Sequence, residues 1–327
     1  MKLVIQIPCL DEARTLPATL AALPREVEGF DEVELLVVDD GSSDGTARVA
    51  RENGVRNVVR FAGNRGLARA FEAGLDAALR MGADVIVNTD ADNQYDAGCI
   101  PELVRPILEG RAEMVVGDRQ VDSVEDFSAT KKSLQRFGSW VVRRASDLDV
   151  PDATSGFRAL SRQAALALTV TSDFTYTLET LIQAGASRLA VEAVPVRTNP
   201  KTRESRLFGG TWSYVRRSMG TIVRIYTMYH PLRTFLALAL LFLLGGLVAG
   251  GRFLYFFFTT EGPTGHTQSL ILAAIMVLAA FQIALFGMIA DLVGANRKLL
   301  EGVSRRVRRI ESEPAQSERE TTGEQGE

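Results

Sequence analysis

Short apolar runs alternate with helical stretches from residue 3 to about residue 196. LVIQIP, VELLVVDD, NVVRF, ADVIVNTD, AEMVVGD and LAVEAVPV read as strands, and segments such as 13–23 and 67–81 read as helices between them. Strands alternating with helices predict an α/β domain, a mostly parallel sheet with helices on both faces. In such sheets ligands bind at the carboxyl ends of the strands, where Pro8, Asp39, Asp40, Asp90 and Asp92 all fall.

The pattern changes after Phe208. Trp212, Val215, Met219, Ile222, Tyr226 and Tyr229 recur at steps of three or four, with Arg216, Arg217 and Arg224 off the stripe, which predicts an amphipathic helix in a membrane interface over 207–230. A core helix of the soluble domain is the competing reading, and the apolar segment that follows weighs against it. Runs 231–258 and 268–290 are each long enough to cross roughly 30 Å of hydrocarbon, so 231–292 is expected to be a transmembrane hairpin. Arg224 and Arg233 flank the first run, and Arg297, Lys298, Arg305, Arg306, Arg308 and Arg309 follow the second. The connection 259–267 has no Lys or Arg, which places both ends in the cytoplasm. Arg252, near the outer end of the first run, is expected to snorkel. Gly246 and Gly250 permit close helix packing and self-association. Residues 293–327 form a basic then acidic tail, expected to be disordered after Ile310.

Composition narrows the chemistry. The chain has 327 residues and is 46% hydrophobic, ample for one large domain plus an attachment. A formal net charge of -3 gives no basic field for nucleic acid. The two cysteines, Cys9 and Cys99, form no metal-binding pattern, and the two histidines, His230 and His266, lie near apolar segments. The chemistry has to run on carboxylates, amides and arginines. No basic-then-apolar leader precedes the first strand, so the N-terminal part is expected to stay in the cytoplasm.

After the apolar strand ADVIV comes Asn88-Thr89-Asp90-Ala91-Asp92-Asn93-Gln94-Tyr95-Asp96. At strand spacing Asp90 and Asp92 point to one side, so two carboxylates can bind one hard cation, with the Gln94 amide oxygen as a third ligand. A calcium loop of the EF-hand kind needs Gly and Glu where this chain has Tyr95 and Pro101. Asp39, at the end of the second strand, is placed to accept from a base N–H or ribose hydroxyl. Ser42, Ser43 and Asp44 fit turn and capping chemistry. Arg119, the Lys131–Lys132…Arg136 stretch and the segment from Lys201 to Arg206 are basic elements suited to anionic lipid in general or to one phosphorylated lipid.

Eight segments, IPCLDEARTL, VVDDGSSDGT, GNRGLARAF, DADNQYD, GDR, DATSGFR, VEAVPV and RESRL, follow one another in an order that resembles family 2 glycosyltransferases of the GT-A fold. The closer resemblance, across residues 1–230, is to polyprenyl-phosphate hexosyltransferases such as dolichyl-phosphate mannose or glucose synthases. It implies a catalytic domain over 1–206 and nucleotide-sugar contacts at Pro8, Glu12, Asp39, Asp40, Asp90 and Ala91. It implies Mg2+ or Mn2+ at Asp90, Asp92 and Gln94, and acceptor phosphate at Arg119, Lys132, Lys201, Arg203 and Arg206, with Asp92 and Arg119 catalytic. Leu10 stands where such synthases often carry an aromatic, and Lys201-Thr202-Arg203-Glu204-Ser205-Arg206 replaces the usual R-x-G-E-S-K. The expected partners are a nucleotide-diphosphate hexose, polyprenyl or dolichyl phosphate, and membrane lipids. The alternative acceptor, a sugar hydroxyl on a lipid-linked glycan, needs a base, for which Asp96 and Glu179 are the candidates.

Overall fold

Eight residues, Lys2–Cys9, form the central strand β1, buried from Leu3 onward because helices cover both faces of the sheet. The computed structural model describes residues 1–120, 148–170, 176–199, 226–259 and 267–312, together with Arg143, Ser146, Gly220, Val223 and Arg224. After β1 come α1 (Leu16–Ala22), β2 (Glu32–Asp39), α2 (Thr46–Glu52), β3 (Asn57–Arg60), α3 (Leu67–Arg80) and β4 (Val85–Asn88). A short 3-10 turn (Ala97–Cys99) leads into α4 (Ile100–Leu108) and β5 (Met114–Asp118). Then follow β6 (Arg158–Ser161), α5 (Arg162–Ala167), α6 (Tyr176–Ala186) and β7 (Val191–Pro195). Helix α1 starts later than its apolar pattern suggests, because Pro17 lacks an N–H and belongs in a first turn.

Among the described residues the sheet has the order β3-β2-β1-β4-β6-β5-β7. All pairs are parallel except those of β6 with β4 and β5. This is the expected α/β sheet with one addition: β6 has four residues and opens on a buried arginine, so hydrophobic patterning does not announce it. From β1 the chain fills the sheet in one direction through β2 and β3 and in the other through β4. Ligands bind in the crevice at such a reversal. Pairing of β1 with β4 ends at Gln6 and Asn88, so Pro8, two residues on, sits where that side of the ladder has stopped.

Backbone contacts group the chain into two units: residues 1–223 with the chain from Val303 onward, and residues 224–302. The second unit holds α7 (Pro231–Thr259) and most of α8 (Thr267–Ser312), both long and apolar enough to cross a membrane and mostly exposed along their apolar windows. They pack through small residues: a Cβ on Gly246 would lie 2.9 Å from Val277 and 3.2 Å from the Ala273 carbonyl, and one on Gly287 2.7 Å from Phe235. The Arg297 guanidinium lies 3.9 Å from the centroid of the Tyr229 ring. Arg252, expected to snorkel, lies over Phe256. The interfacial helix expected over 207–230 falls largely outside the described residues.

One expectation is corrected. The basic segment after residue 292 is not a separate tail: α8 continues without a break to Ser312. Its end is fastened in the first unit by Arg308, which donates to the Leu168 carbonyl at 2.7 Å and to Glu72 at 3.2 Å.

The loop after β2 turns on Gly41, whose φ is +74° and whose Cβ position lies 2.4 Å from the Gly63 backbone. Gly41→Ala combines left-handed strain with a backbone clash, so we expect a loss of about 2–4 kcal/mol in unfolding free energy, measured by denaturant titration of the purified protein. An unchanged midpoint would mean that this contact does not hold the loop.

Candidate active site

The acidic run lies on a turn and not on a strand, because β4 stops at Asn88. Thr89 N–H still donates to the Gln6 carbonyl at 3.1 Å. Asp90 then turns inward, the Ala91 carbonyl accepts from the Thr19 hydroxyl at 2.8 Å, and Asp92 accepts from Gln94 N–H at 3.1 Å. Asn93 takes the left-handed conformation, with φ +56°, which an asparagine tolerates. A second segment clamps the turn from outside: Asn199 donates to the carbonyls of Gln94 and Asn93, and Asp96 N–H donates to the Arg197 carbonyl.

Asp90 is partly buried. Burial, with Asp92 nearby, raises its pKa from 3.8 to about 7. Opposite it stands Gly156: a Cβ there would lie 3.1 and 3.2 Å from the two Asp90 oxygens and 2.9 Å from the Tyr176 hydroxyl. No side chain fits there, so the Gly156 backbone packs directly against the carboxylate. Gly156 is fixed at both ends, its N–H donating to the Tyr95 hydroxyl at 3.0 Å and its carbonyl accepting from Asn88 at 2.7 Å. Asn88 also meets the Tyr176 hydroxyl at 2.9 Å and accepts from Gln6 at 2.9 Å. Two neighbouring carboxylates, one of which desolvation and the charge of the other hold well above its usual pKa, fit a hard divalent cation. Among the described residues no third His, Cys, Asp or Glu joins them, which leaves coordination positions for an amide such as Gln94, water or a diphosphate.

Arg119 follows β5 and is locked by Asp152, which accepts from Nε at 2.6 Å and from Nη2 at 2.9 Å, while Thr154 accepts from Nη2. Burial alone would raise the Asp152 pKa, but Arg119 outweighs it and holds the carboxyl low. Nη1 makes no hydrogen bond among the described residues. Arg158, fully buried, donates to the carbonyls of Ala153, Ser155 and Thr177 and to the Thr180 hydroxyl. Lys132, Lys201, Arg203 and Arg206 lie outside the described residues.

On the other side of the reversal, loops after β1 and β2 are laced together. Asp11 N–H donates to the Ser42 hydroxyl, Glu12 N–H to the Thr46 hydroxyl, Ala13 N–H to Asp44, and Ser43 N–H back to Asp11. Ser42, Ser43 and Asp44 are thus structural ties. Pro8 and Glu12 are buried beside them. Asp40, expected among the donor contacts, instead accepts from the backbone N–H groups of Arg65 and Gly66 at 2.7 and 2.9 Å and holds the loop before α3. Asp39 is buried against Arg60. The sequence reading missed Asn88, Tyr95, Asp152, Gly156 and Tyr176 as individual site residues. Asp152 and Gly156 lie in the DATSGFR motif and Asn88 and Tyr95 in the acidic run 88–96, whereas Tyr176 belongs to no motif.

A mostly parallel α/β sheet with an acidic turn at its reversal point is the arrangement of the GT-A fold. Residues 4–168 match the profile described as glycosyl transferase family 2. An uncharacterized protein of Methanocaldococcus jannaschii is 31% identical over 202 residues, covering 60% of this chain and 81% of that one. An undecaprenyl-phosphate mannosyltransferase of Micrococcus luteus is 32% identical over 166 residues, covering 49% of this chain and 66% of that one. The glucosyl-3-phosphoglycerate synthase of Mycobacterium tuberculosis, solved with Mn2+, UDP and glucosyl-3-phosphoglycerate, superposes with a TM-score of 0.54 at 20% identity, covering 70% of this chain and 79% of that one, and shares the fold. The chain belongs to glycosyltransferase family 2.

Between pH 4 and 7 folded Asp90 keeps a proton that the unfolded chain has released, so its contribution to stability falls as pH rises through that window. In EDTA, Asp90→Asn should therefore melt above wild type at pH 8 and close to it at pH 4. Mn2+ should raise the wild-type melting temperature more at pH 8 than at pH 5.5. Parallel pH curves for both proteins would show that Asp90 does not titrate in this window.

Proposed function

We propose that this glycosyltransferase moves a hexose from a UDP- or GDP-sugar to a polyprenyl phosphate, at the cytoplasmic face of the membrane and with inversion at the anomeric carbon. The observation that carries the reading is the partly buried Asp90 beside Asp92, on the turn after β4 at the sheet's reversal point, with its pKa raised to about 7 by desolvation and by Asp92. Mg2+ or Mn2+ held by Asp90, Asp92 and Gln94 would neutralise charge on the leaving diphosphate. The chain's own residues supply position and field: Pro8, Glu12 and Ala91 border the donor crevice, and Arg119, oriented by Asp152, offers its remaining nitrogen to a phosphate.

A lipid phosphate is already ionised at neutral pH, so its attack needs no strong base. The sugar-hydroxyl acceptor does need one, and its two candidates are poorly placed. Glu179 is fully buried within α6, and Asp96 caps Gly98 N–H and pairs with Arg197, both of which lower its pKa. Similarity to the undecaprenyl-phosphate mannosyltransferase of Micrococcus luteus supports a polyprenyl-phosphate acceptor. The two apolar helices, with arginines at the outer flanks of both and none in the 259–267 connection, support a membrane hairpin with both ends cytoplasmic.

The test incubates detergent-purified protein with UDP- and GDP-hexoses, Mg2+ or Mn2+ and polyprenyl phosphate, and reads products by mass spectrometry. The expected product is a hexosyl-phosphoryl-polyprenol of β configuration, formed only with metal and reduced about 10²-fold or more in Asp92→Asn. Retention at the anomeric carbon would sink the direct-displacement mechanism. Product formed only on a lipid-linked glycan would move the acceptor to a sugar hydroxyl.

A further inference from the structure

Helix α8 carries two seams. Counted in heptads from Leu272, its b positions include Ala273, Ala280, Gly287 and Gly294, small residues on the face turned to α7. Both alanines are buried, and a Cβ on Gly287 would lie 2.7 Å from Phe235 and one on Gly294 3.7 Å from Pro231. Arg308, which fastens the end of the helix, is also a b position. The a positions, 272, 279, 286, 293, 300 and 307, and the d positions, 275, 282, 289, 296, 303 and 310, share a different face. All are apolar but Gln282 and Asn296, and all are exposed but Ala279, which is half-buried.

Two features of the a/d seam call for a partner. Gln282 is the one hydrogen-bonding side chain between residues 270 and 290. It is exposed, well inside the apolar run, and makes no hydrogen bond among the described residues. An unpaired amide in hydrocarbon is costly, and helices in lipid satisfy it by bonding across to another helix. The seam also outlasts the bilayer. At about 1.5 Å per residue, Val303, Val307 and Ile310 lie roughly 20–30 Å past residue 290, and they are 57%, 46% and 72% exposed. The headgroup layer adds only about 5–8 Å on each side, so lipid does not cover them.

We propose that a second copy of this chain docks on the seam, α8 against α8 in parallel, with the two Gln282 amides paired inside the membrane and a coiled coil continuing past it to Ile310. Copies inserted in one orientation present α8 in the same direction and at the same depth, so each seam residue meets its own counterpart. A different protein would have to supply both an amide at that depth and a heptad seam in the same register. Another copy has both by construction. Gln282 and Asn296 set the register, because a slip of one helix along the other presses an amide against an apolar side chain. The proposal rests on the membrane-hairpin reading and adds to it the partner that the hairpin meets.

The test uses the full chain in membranes. Val303→Cys, at a d position, and Ala295→Cys, at an exposed c position on the far side of α8, are oxidised with copper phenanthroline, the native Cys9 and Cys99 being buried. Val303→Cys should give a band of doubled mass on a non-reducing gel at least about tenfold stronger than Ala295→Cys does. In dilute proteoliposomes, single-molecule photobleaching should show Gln282→Leu self-associating about 5–30-fold more weakly than wild type, with Gln282→Asn, which keeps an amide, in between. Unchanged melting temperatures show that the variants fold. Cross-linking that is equal at 295 and 303, or absent at 303, overturns the proposal, as does Gln282→Leu that associates like wild type. Release of the protein from membranes by alkaline carbonate overturns the hairpin reading itself, a failure distinct from either of these.

Discussion

The side-chain amide of Asn88 is the junction on which the site depends. It is the last residue of β4, has no solvent exposure, and joins three elements at once: Gln6 of β1, the Gly156 carbonyl before β6, and the Tyr176 hydroxyl of α6. A buried amide left without partners costs about 1–3 kcal/mol for each unsatisfied group, so the arrangement in which all three partners meet it is strongly selected over near neighbours. Phe71 stacks on Tyr176 at 3.9 Å, which presses α3 into the same junction. The position of Gly156, and with it the close packing of its backbone against Asp90, follows from this network.

Around the junction charge alternates. Asp90 lies within electrostatic reach of Asp92 and Arg119, Arg119 is neutralised by Asp152, and Arg158 is wrapped in carbonyls. Taking any one of these charges out of water costs several kcal/mol unless its partners remain. Arg158 resolves that cost with dipoles alone, and desolvation with the neighbouring Arg119 pulls its pKa down to about 10. Asp90 has no comparable set of donors, so burial leaves it as the unsatisfied charge of the group. A site arranged in this way is prepared for a positive partner, which is the physical content of reading Asp90 and Asp92 as ligands.

The strands were legible in the sequence because both faces of the sheet are buried and six of the seven appear as apolar runs. The acid pair was legible because two carboxylates after such a run are rare without a purpose. The residues that position them were not. Asn88, Tyr95, Gly156 and Tyr176 come from three parts of the chain, and only the crossing of β6 back between β4 and β5 brings them together. Asp40 misled for the opposite reason: adjacent to Asp39 it reads as a second ligand, but one residue reverses the direction of its side chain, and its oxygens meet the backbone before α3. The continuation of α8 to Ser312 was hidden by composition, since a segment rich in arginine and glutamate carries no core pattern, and a long-range contact through Arg308 is what seats its end.

The two halves of the crevice are built by different means, and the difference bears on what each can vary. The β4 side is fixed by a buried side-chain network centred on Asn88, so a change there strands polar groups at Gln6, Gly156 and Tyr176. The β1–β2–β3 side is fixed mainly by side chains capping backbone N–H groups: Ser42, Asp44, Thr46, Asp40 and Asp11 each hold main chain. Side chains that point out of such a frame, Leu10 and Arg60, can be exchanged without unfolding it. That rim can therefore vary without stranding the buried amide network beside Asp90.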